Sequence, residues 1–432
     1  MADFSDNRKI DPSKSPENIN VFCEPSKLAK DEWKTNELEL PDITLINSYR
    51  RERVLNEMSK QGVDGVLLFD PLNIRYATGT SNMVVWNTHN PFRACLLLSN
   101  GHTVLWDYEK SSHYLKSKYL QIDEVRVGAS MFYFVKGDHV RKAAIEFAKQ
   151  VKELFQSNKV KRKRLAIDKI MIEGLKELEN LNFEIKNGEK LMEHSRLIKS
   201  DEEIKAMRCS ILACENSIEI MEKSIQPGMT ENEIWSILHA ENIKRGGEWI
   251  ETRLLTTGTK TNPWFQECGS RVLQNNEILA FDTDLIGCYS ICTDISRTWW
   301  IGDTEPTKEM KIDYKVALDH IMENTELVAP GVSFKDLTFK GHQLDNIYKK
   351  QQYSCRFHGV GLCDEYPLIA YPEQYEEGAF DYALKTGMTL CVEALVSRED
   401  GSFSIKLEDQ LLVTDEGFEN LTRYPFDQKF LN

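Results

Sequence analysis

Three aspartates lie close together in a stretch that otherwise has the composition of β-strands. Asp282 and Asp284 follow an apolar run at 278–281, and Ile291 and Ile295 flank Asp294. Buried carboxylates at this density need a counter-charge, because desolvation disfavours isolated ionised groups. One or two divalent metal ions would supply that charge. For these three residues alone, a polar turn followed by an exposed strand is the alternative.

Three further residues of ligand type, in apolar and strand-like surroundings, favour the metal site over the polar turn. His358 lies in His-Gly-Val-Gly-Leu, where glycines let the backbone approach another element closely. Glu393 lies in an apolar run where an unpaired carboxylate is unusual. Glu408 lies in a more polar strand, so for it a surface position is the stronger alternative. The predicted ligand set is Asp282, Asp284, Asp294, His358, Glu393 and Glu408.

This donor set defines the class of metal. Five carboxylates and one imidazole suit Mn, Fe, Co or Zn rather than Cu(I). Carboxylates that can bridge two metals suit a pair of divalent transition-metal ions. The sequence therefore predicts a centre with two ions.

Composition and charge restrict the class of protein. The 432 residues are 41% hydrophobic and 28% charged, which predicts a soluble protein of two domains. The net charge of −14 argues against nucleic acid and anionic membranes as partners. The N-terminus lacks the apolar core of a secretion signal, and the ten cysteines include no Cys-x-x-Cys pair. We therefore expect a cytoplasmic protein that binds neither nucleic acid nor membrane.

The first part of the chain divides into a polar arm and an α/β domain. Residues 1–44 are polar with little periodicity, and we expect a disordered arm, or alternatively a wrap along a partner subunit. Apolar patterns then predict a helix over 46–62, buried strands and a hairpin turn at Asn100-Gly101. Helices and short strands alternate onward, which is typical of an α/β domain over 45–195.

The second domain is expected over 196–432. Two capping boxes, Ser200 with Glu203 and Thr230 with Glu233, predict the starts of two helices. The chain from Arg356 onward predicts strands with turns, so helices are expected to lie over a largely antiparallel, strongly bent sheet. The fold class is therefore α+β. Two further helices are predicted over 307–328 and 334–352.

The order of the candidate ligands, Asp, Asp, His-Gly-x-Gly, Glu, Glu, resembles that of the pita-bread metallopeptidase superfamily. This superfamily includes methionine aminopeptidase, prolidase, Xaa-Pro aminopeptidase and creatinase. Residues 294–298 resemble its second-ligand motif, and residues 196–203 resemble its helix entry. The resemblance spans roughly residues 45–432. It implies a creatinase-like α/β N-terminal domain followed by a pita-bread C-terminal domain with a curved antiparallel sheet.

Two departures from the prolidase pattern argue against peptide hydrolysis. Prolidase-type chains carry Asp-x-Gly at the first ligand, whereas residues 282–284 are Asp-Thr-Asp. Those chains also follow the ligand histidine with His-Glu-x-Pro, whereas Asp364 and Glu365 occupy that part of this chain. Both departures resemble the dimethylsulfoniopropionate lyases of this fold. That resemblance implies an iron-containing homodimer with an aspartate base, which we assign to Asp364; a loop carboxylate paired with Arg356 is the alternative.

The implied reaction cleaves dimethylsulfoniopropionate, a small zwitterion, into dimethyl sulfide and acrylate by α-proton abstraction and β-elimination. Metal ions on the substrate carboxylate would acidify the α-proton for the base. The sulfonium cation suits aromatic faces, and the candidates are Tyr353, Tyr366 and Trp86. The alternative for the two tyrosines is that they are ordinary half-buried residues, and Tyr353 can instead donate a hydrogen bond. The alternative for Trp86 is that it lies in an ordinary surface loop.

Two other functions remain open on the sequence. The first is an Xaa-Pro dipeptidase or aminopeptidase, in which the same metals would activate a water molecule. The second is a non-enzymatic binding module of the same fold. Such modules typically lose their ligands, whereas all six candidate ligands are present in this chain.

Overall fold

The computed structural model describes residues 25–108, 121–399 and 401–432. The α-helices and β-strands of the first half are α1 (Lys27–Thr35), α2 (Ile43–Lys60), β1 (Gly65–Leu68), α3 (Pro71–Thr78), α4 (Val84–His89), β2 (Ala94–Leu98), β3 (Thr103–Asp107), β4 (Glu124–Val127), α5 (Tyr133–Lys136), α6 (Val140–Ser157), β5 (Arg164–Ile167), α7 (Ile172–Asn180), β6 (Glu184–Asn187) and α8 (Gly188–Arg196).

The second half continues the numbering. Its elements are α9 (Asp201–Ser224), α10 (Glu231–Arg245), β7 (Trp249–Ile250), β8 (Leu255–Thr257), β9 (Glu277–Asp282), β10 (Leu285–Ile286), β11 (Cys292–Thr293), β12 (Ser296–Ile301), α11 (Lys308–Thr325), α12 (Phe334–Lys340), α13 (Asn346–Lys349), β13 (Phe357–Val360), β14 (Asp364–Ile369), β15 (Thr389–Ser397), β16 (Ser404–Thr414), β17 (Gly417–Asn420) and α14 (Gln428–Leu431).

A six-stranded mixed sheet forms the centre of the first half. Its order is β4-β3-β2-β1-β5-β6, and β1 pairs antiparallel with β2 and parallel with β5. Strands β2 and β3 form the hairpin predicted at Asn100-Gly101, where Gly101 has a φ of 90°. Helices α6 and α7 pack on this sheet through a cluster of buried apolar side chains. The α/β fold class predicted for the first half is therefore confirmed.

The N-terminal arm contains an ordered helix, which differs from our expectation. Helix α1 buries Ala29 and Trp33 completely. The Trp33 indole N–H donates a hydrogen bond of 2.7 Å to the Cys209 carbonyl in α9, and its ring stacks on Tyr289 at 5.6 Å. The prediction of a disordered arm is therefore wrong for α1, because one large aromatic side chain buries enough apolar surface to hold it. The expectation for residues 1–24 lies outside the described residues.

Substitution of Trp33 by alanine is expected to lower the free energy of unfolding by about 3–5 kcal/mol, the usual cost of removing a buried aromatic side chain. The matched control is Leu28→Ala in the same helix, because Leu28 is 43% exposed. Urea unfolding of both variants measures the difference. If the two variants unfold at the same urea concentration as the unsubstituted protein, α1 is not docked in solution.

The second half consists of antiparallel sheets covered by helices. Three sheets have the orders β11-β10-β7, β12-β9-β8 and β14-β13-β15-β16-β17. Helix α11 packs against β15 and β16, and β12 also contacts β16, so the larger sheets adjoin. Both capping boxes are present, at Ser200 with Glu203 and at Thr230 with Glu233. These features confirm the predicted α+β class.

The helix expected over 334–352 is broken in two. Helix α12 ends at Lys340, and α13 resumes only at Asn346. A Cβ atom at Gly341 would lie 2.1 Å from Arg356 Nη1, so the chain passes too close to a buried guanidinium to continue with a larger residue. Over the described ranges, no helix combines the length and the apolar character that crossing a bilayer requires.

Candidate metal centre

The segments that carry Asp282 and Asp294 are joined by one hydroxyl group. Asp282 ends β9, and Asp294 lies just before β12, its antiparallel neighbour. The Thr283 hydroxyl donates to the Thr293 carbonyl at 2.7 Å and accepts from the Ile295 amide at 3.0 Å. This double bridge places the two aspartates side by side at the end of the same strand pair.

Asp284 completes a group of three buried aspartates. Its backbone is left-handed, with a φ of 39°, and the Thr252 hydroxyl donates to its carboxylate. One oxygen from each of Asp282, Asp284 and Asp294 lies within 4.8 Å of the others. Among the described residues, the buried Oδ1 atoms of Asp282 and Asp294 have no hydrogen-bond partner. Clustered buried oxygens without donors fit a cation site.

A bulge in the sheet sets the backbone at His358. The pairing of β13 with β14 shifts register between His358 and Gly359. A Cβ atom at Gly359 would lie 2.4 Å from the Tyr366 carbonyl oxygen, so this approach requires glycine. The Nδ1 atom of His358 lies 3.0 Å from the Gly359 carbonyl, to which an Nδ1–H would donate. That tautomer leaves Nε2 as the metal-binding atom.

The Nε2 atom of His358 meets the remaining acids. It lies 3.2 Å from Glu408 Oε1, 3.5 Å from Asp294 Oδ2 and 3.7 Å from Glu393 Oε1. Glu393 on β15 and Glu408 on β16 are directly opposite each other in the antiparallel register, and both are completely buried. The structure thus brings all six predicted ligands to one place, although they come from four separate segments of the chain.

Lys406 is a member of this cluster that sequence reasoning missed. It is completely buried, and its Nζ lies 3.0 Å from Asp282 Oδ2, 2.7 Å from Glu408 Oε2 and 3.0 Å from Glu393 Oε2. The signal was available, because side chains two apart on a strand share a face and Lys406 precedes Glu408 by two. Burial alone would lower the pKa of Lys406, but the surrounding carboxylates raise it well above its usual range.

The protein itself supplies too little positive charge to balance the buried acids of this cluster. Burial, followed by neighbouring acids, raises the pKa of Asp284 and of Asp294 well above the usual range. Burial also raises the pKa of Glu393 to about 7, although Lys406 opposes it. For Glu408, Lys406 and His358 outweigh burial and lower the pKa. A single ammonium therefore does not balance the acids, and divalent ions held by this oxygen-rich set would do so.

An open cavity of about 570 Å³ gives access to the cluster. Asp364, at the start of β14, lines this cavity with its side chain 55% exposed, and its Oδ1 lies 3.9 Å from His358 Nδ1. Desolvation by the surrounding protein raises the pKa of Asp364, although the charge of His358 opposes this shift. A carboxylate whose pKa is moved toward neutrality is a stronger base when ionised.

The neighbouring acid is not available for such a role. Glu365 is buried, and its carboxylate lies 3.1 Å from both Arg196 and Lys199, which lower its pKa against the effect of burial. Arg356, considered above as a partner for Asp364, is instead buried over the Tyr371 ring at 4.7 Å. Of these two neighbouring acids, Asp364 is therefore the one that Arg196 and Lys199 leave available at the cavity.

Two of the three predicted aromatic residues lie at the cavity. Tyr353 and Tyr366 are both among its lining residues. The Tyr353 ring stacks on Phe265 at 5.1 Å and lies 4.8 Å from Lys406 Nζ. Phe265, which the sequence did not single out, is 60% exposed and also lines the cavity.

Trp86 lies elsewhere within one chain. It belongs to α4 in the first half, and its ring makes edge contacts with Phe92 and Phe132. It is absent from the described residues that line the cavity. A role for Trp86 at the substrate therefore requires a second subunit.

Comparisons with known families match both halves of the chain. The creatinase/prolidase N-terminal domain matches residues 50–209, and metallopeptidase family M24 matches residues 205–415. Solved structures with the same fold include an Xaa-Pro dipeptidase from Bacillus anthracis, which has a TM-score of 0.69 and 21% identity over 87% of this chain and 98% of that one. An X-Pro aminopeptidase from Thermotoga maritima has a TM-score of 0.69 and 19% identity over 87% of this chain and 99% of that one. The fold and the acid cluster thus define the pita-bread class of metallopeptidase-like proteins.

Two curated relatives are much more similar. Dimethylsulfoniopropionate lyase DddP from Roseobacter denitrificans is 51% identical over 98% of both chains. The lyase of the same name from Roseovarius nubinhibens is 50% identical, again over 98% of both chains. This chain belongs to the DddP family of dimethylsulfoniopropionate lyases.

Proposed function

We propose that this chain is a metal-dependent carbon–sulfur lyase that cleaves dimethylsulfoniopropionate into dimethyl sulfide and acrylate. The near-full-length identity to two lyases of that name supports it. The observation that carries the mechanism is Asp364, whose half-exposed carboxylate lines the cavity with its Oδ1 3.9 Å from His358 Nδ1. The described lining of that cavity contains His358 as its one histidine, so an acid and not a second imidazole is placed to take the proton.

In this mechanism, the substrate lies in the cavity with its carboxylate toward the ligand set. Divalent ions, which Asp282, Asp284, Asp294, His358, Glu393 and Glu408 would hold, would supply Lewis-acid chemistry that makes the C–H next to that carboxylate more acidic. The carboxylate of Asp364 takes the α-proton. The C–H electron pair forms the double bond of acrylate, and the bond between the β-carbon and sulfur breaks to release dimethyl sulfide. Atoms and charges balance without a water nucleophile.

The aromatic residues at the cavity are the proposed site for the sulfonium cation. Tyr353, Tyr366 and Phe265 offer ring faces that attract a cation without forming strong hydrogen bonds to it. Each such contact contributes about 0.5–2 kcal/mol. One face of Tyr353 is already near an ammonium group, that of Lys406, whereas the Tyr366 ring contacts other rings, including Phe380 and Tyr382.

The proposed cofactor is a pair of iron ions, and Mn or Zn is the alternative that the donor set also permits. Two overlapping groups of donors support two ions. One consists of Asp282, Asp284 and Asp294, and the other includes Asp294, His358 and Glu408. Asp294 belongs to both groups, so its carboxylate would help to hold either ion.

The proposal also includes a cytoplasmic homodimer. Each chain would consist of an N-terminal arm over 1–44, a creatinase-like domain over 45–195 and a pita-bread domain over 196–432. Exposed apolar side chains on the first half support a second subunit, since Val127 is 57%, Tyr133 70% and Phe134 77% exposed. In a dimer, the α4 segment with Trp86 would cover the partner's cavity. The described cysteines are all free thiols, which supports a reducing compartment.

Headspace analysis tests the activity directly. Purified protein incubated with dimethylsulfoniopropionate is expected to release dimethyl sulfide, measured by gas chromatography, with acrylate in equal amount in solution. The matched control is the same protein after removal of metal with a chelator, which should release no gas above a protein-free blank. Gas at the blank level from the metal-loaded protein would refute the assignment.

The Xaa-Pro peptidase alternative shares the fold and the metals. Incubation with a panel of Xaa-Pro dipeptides, followed by proline detection, separates the two functions. We expect no proline release, because the described cavity lining offers one histidine, His358, which is assigned to metal binding. The non-enzymatic alternative predicts a protein without bound transition metal, which elemental analysis would detect.

A further inference from the structure

Lys406 occupies a position in the acid cluster that the proposed mechanism does not use. Its ammonium group is completely buried and contacts three ligand carboxylates at 2.7–3.0 Å. A fourth contact, at 2.8 Å, is with the Ser296 hydroxyl, which itself donates to Glu408 Oε2 at 3.0 Å. Lys406 therefore has no route to solvent and cannot act on the substrate.

The contacts of Lys406 divide the oxygens of the two glutamates. For both Glu393 and Glu408, Oε2 faces Lys406 and Oε1 faces His358 Nε2. In Asp282, Oδ2 faces Lys406, and the buried Oδ1 has no hydrogen-bond partner among the described residues. One oxygen of each acid thus lies against the ammonium. The other oxygen has no hydrogen-bond partner among the described residues in Asp282, lies near His358 Nε2 in both glutamates, and in Glu393 also accepts from the Cys355 thiol at 2.9 Å.

The charge count of the ligand set with the two proposed divalent ions also favours such a group. When ionised, its five carboxylates carry five negative charges, and two divalent ions supply four positive charges. The ammonium of Lys406 supplies the fifth. The additional acid of the segment 282–284 is thereby balanced within the protein.

We propose that Lys406 is a positioning residue of the metal centre, a built-in third cation that fixes one oxygen of Asp282, Glu393 and Glu408. An oxygen held in this way is not available to chelate, so each of these acids offers one oxygen to the metals. Coordination positions then stay open for the substrate carboxylate. This last step rests on the proposed function, whereas the effect on metal binding does not.

The test compares Lys406→Met with the charge-retaining Lys406→Arg. Loss of a residue that orients metal ligands typically weakens metal binding by about 10–100-fold. We expect that loss in Lys406→Met, and a change of less than about threefold in Lys406→Arg. Competition against a chelator of known affinity, followed by elemental analysis of metal per protomer, measures both. Neither readout requires turnover, so an absence of lyase activity would refute the proposed function without affecting this result.

A spectroscopic measurement separates orientation from simple charge. In Co²⁺-loaded protein, visible d–d absorption falls as the coordination number rises. We expect weaker absorption per cobalt in Lys406→Met, because the released oxygens can chelate. Unchanged metal affinity and an unchanged spectrum in Lys406→Met would overturn the proposal. Tighter metal binding would also overturn it, because Lys406 would then only compete with the metal ions for the carboxylates. If Lys406→Met does not fold, Lys406→Gln removes the charge, keeps a hydrogen-bond donor and is judged by the same criteria.

Discussion

Replacement of Asp364 by asparagine is expected to lower the release of dimethyl sulfide by about 10²–10⁴-fold, the range that a general base contributes. Asparagine has nearly the same shape and can still occupy the cavity, but its amide does not accept a proton. Asp364 does not belong to either group of clustered metal donors. The variant is therefore expected to keep its metal content and its melting temperature while losing turnover.

The design separates the base from other effects of the substitution. Asp303→Asn is the matched control, because it makes the same chemical change at an exposed position. Metal per protomer and initial rate are measured for both variants. Activity within about threefold of the unsubstituted protein in Asp364→Asn would remove the base assignment, since that is far below the expected contribution.

Replacement of His358 by alanine is expected to abolish both tight metal binding and turnover. His358 is the one nitrogen donor in the predicted ligand set, and its Nε2 lies within 3.7 Å of three acids. Even partners that only orient ligands are worth about 10–100-fold in metal affinity, so removal of a direct ligand should cost more. The loss of metal distinguishes this variant from Asp364→Asn.

His102→Ala provides the comparison for this variant. His102 lies in the turn between β2 and β3, in the first half of the chain. Elemental analysis after gel filtration is expected to show reduced metal in His358→Ala and full metal in His102→Ala. A full complement of tightly bound metal in His358→Ala would show that the centre is built from the carboxylates alone.

Local signals predicted the parts of the fold that depend on local physics. The capping boxes at Ser200 and Thr230 mark the starts of α9 and α10, because side-chain and backbone groups three residues apart satisfy each other. The hairpin at Asn100-Gly101 follows from the left-handed backbone that glycine permits. These interactions are complete within a few residues, so the sequence contains all of their information.

Interactions between distant residues were the ones that could not be predicted. The break after α12 comes at Gly341, whose backbone lies against Arg356, fifteen positions further along the chain. Helix α1 is ordered because Trp33 meets α9 and Tyr289, and nothing within residues 1–44 specifies those partners. Both errors arose where one long-range contact outweighs local composition.

The candidate site shows the same division. The order and type of the six ligands predicted a cluster, which the structure brings together. The choice of Asp364 over Glu365 as the base came from the resemblance to the lyases. Its physical reason could not be predicted, because it depends on Arg196 and Lys199 contacting Glu365. Lys406 could have been predicted from the sequence, because the alternation of side chains along a strand places it on the same face as Glu408.

Helix α1 also has a consequence for how this protein is prepared. Trp33 stacks on Tyr289, in the short loop between the segments that carry Asp284 and Asp294, and Glu32 pairs with Arg245 at 2.8 Å beside that loop. Trimming a polar N-terminus back to the first obvious domain is a routine step in recombinant expression. A gene shortened to begin at α2 would remove the contacts with which α1 supports the loop between Asp284 and Asp294. The resulting enzyme would be impaired although all of its catalytic residues are present.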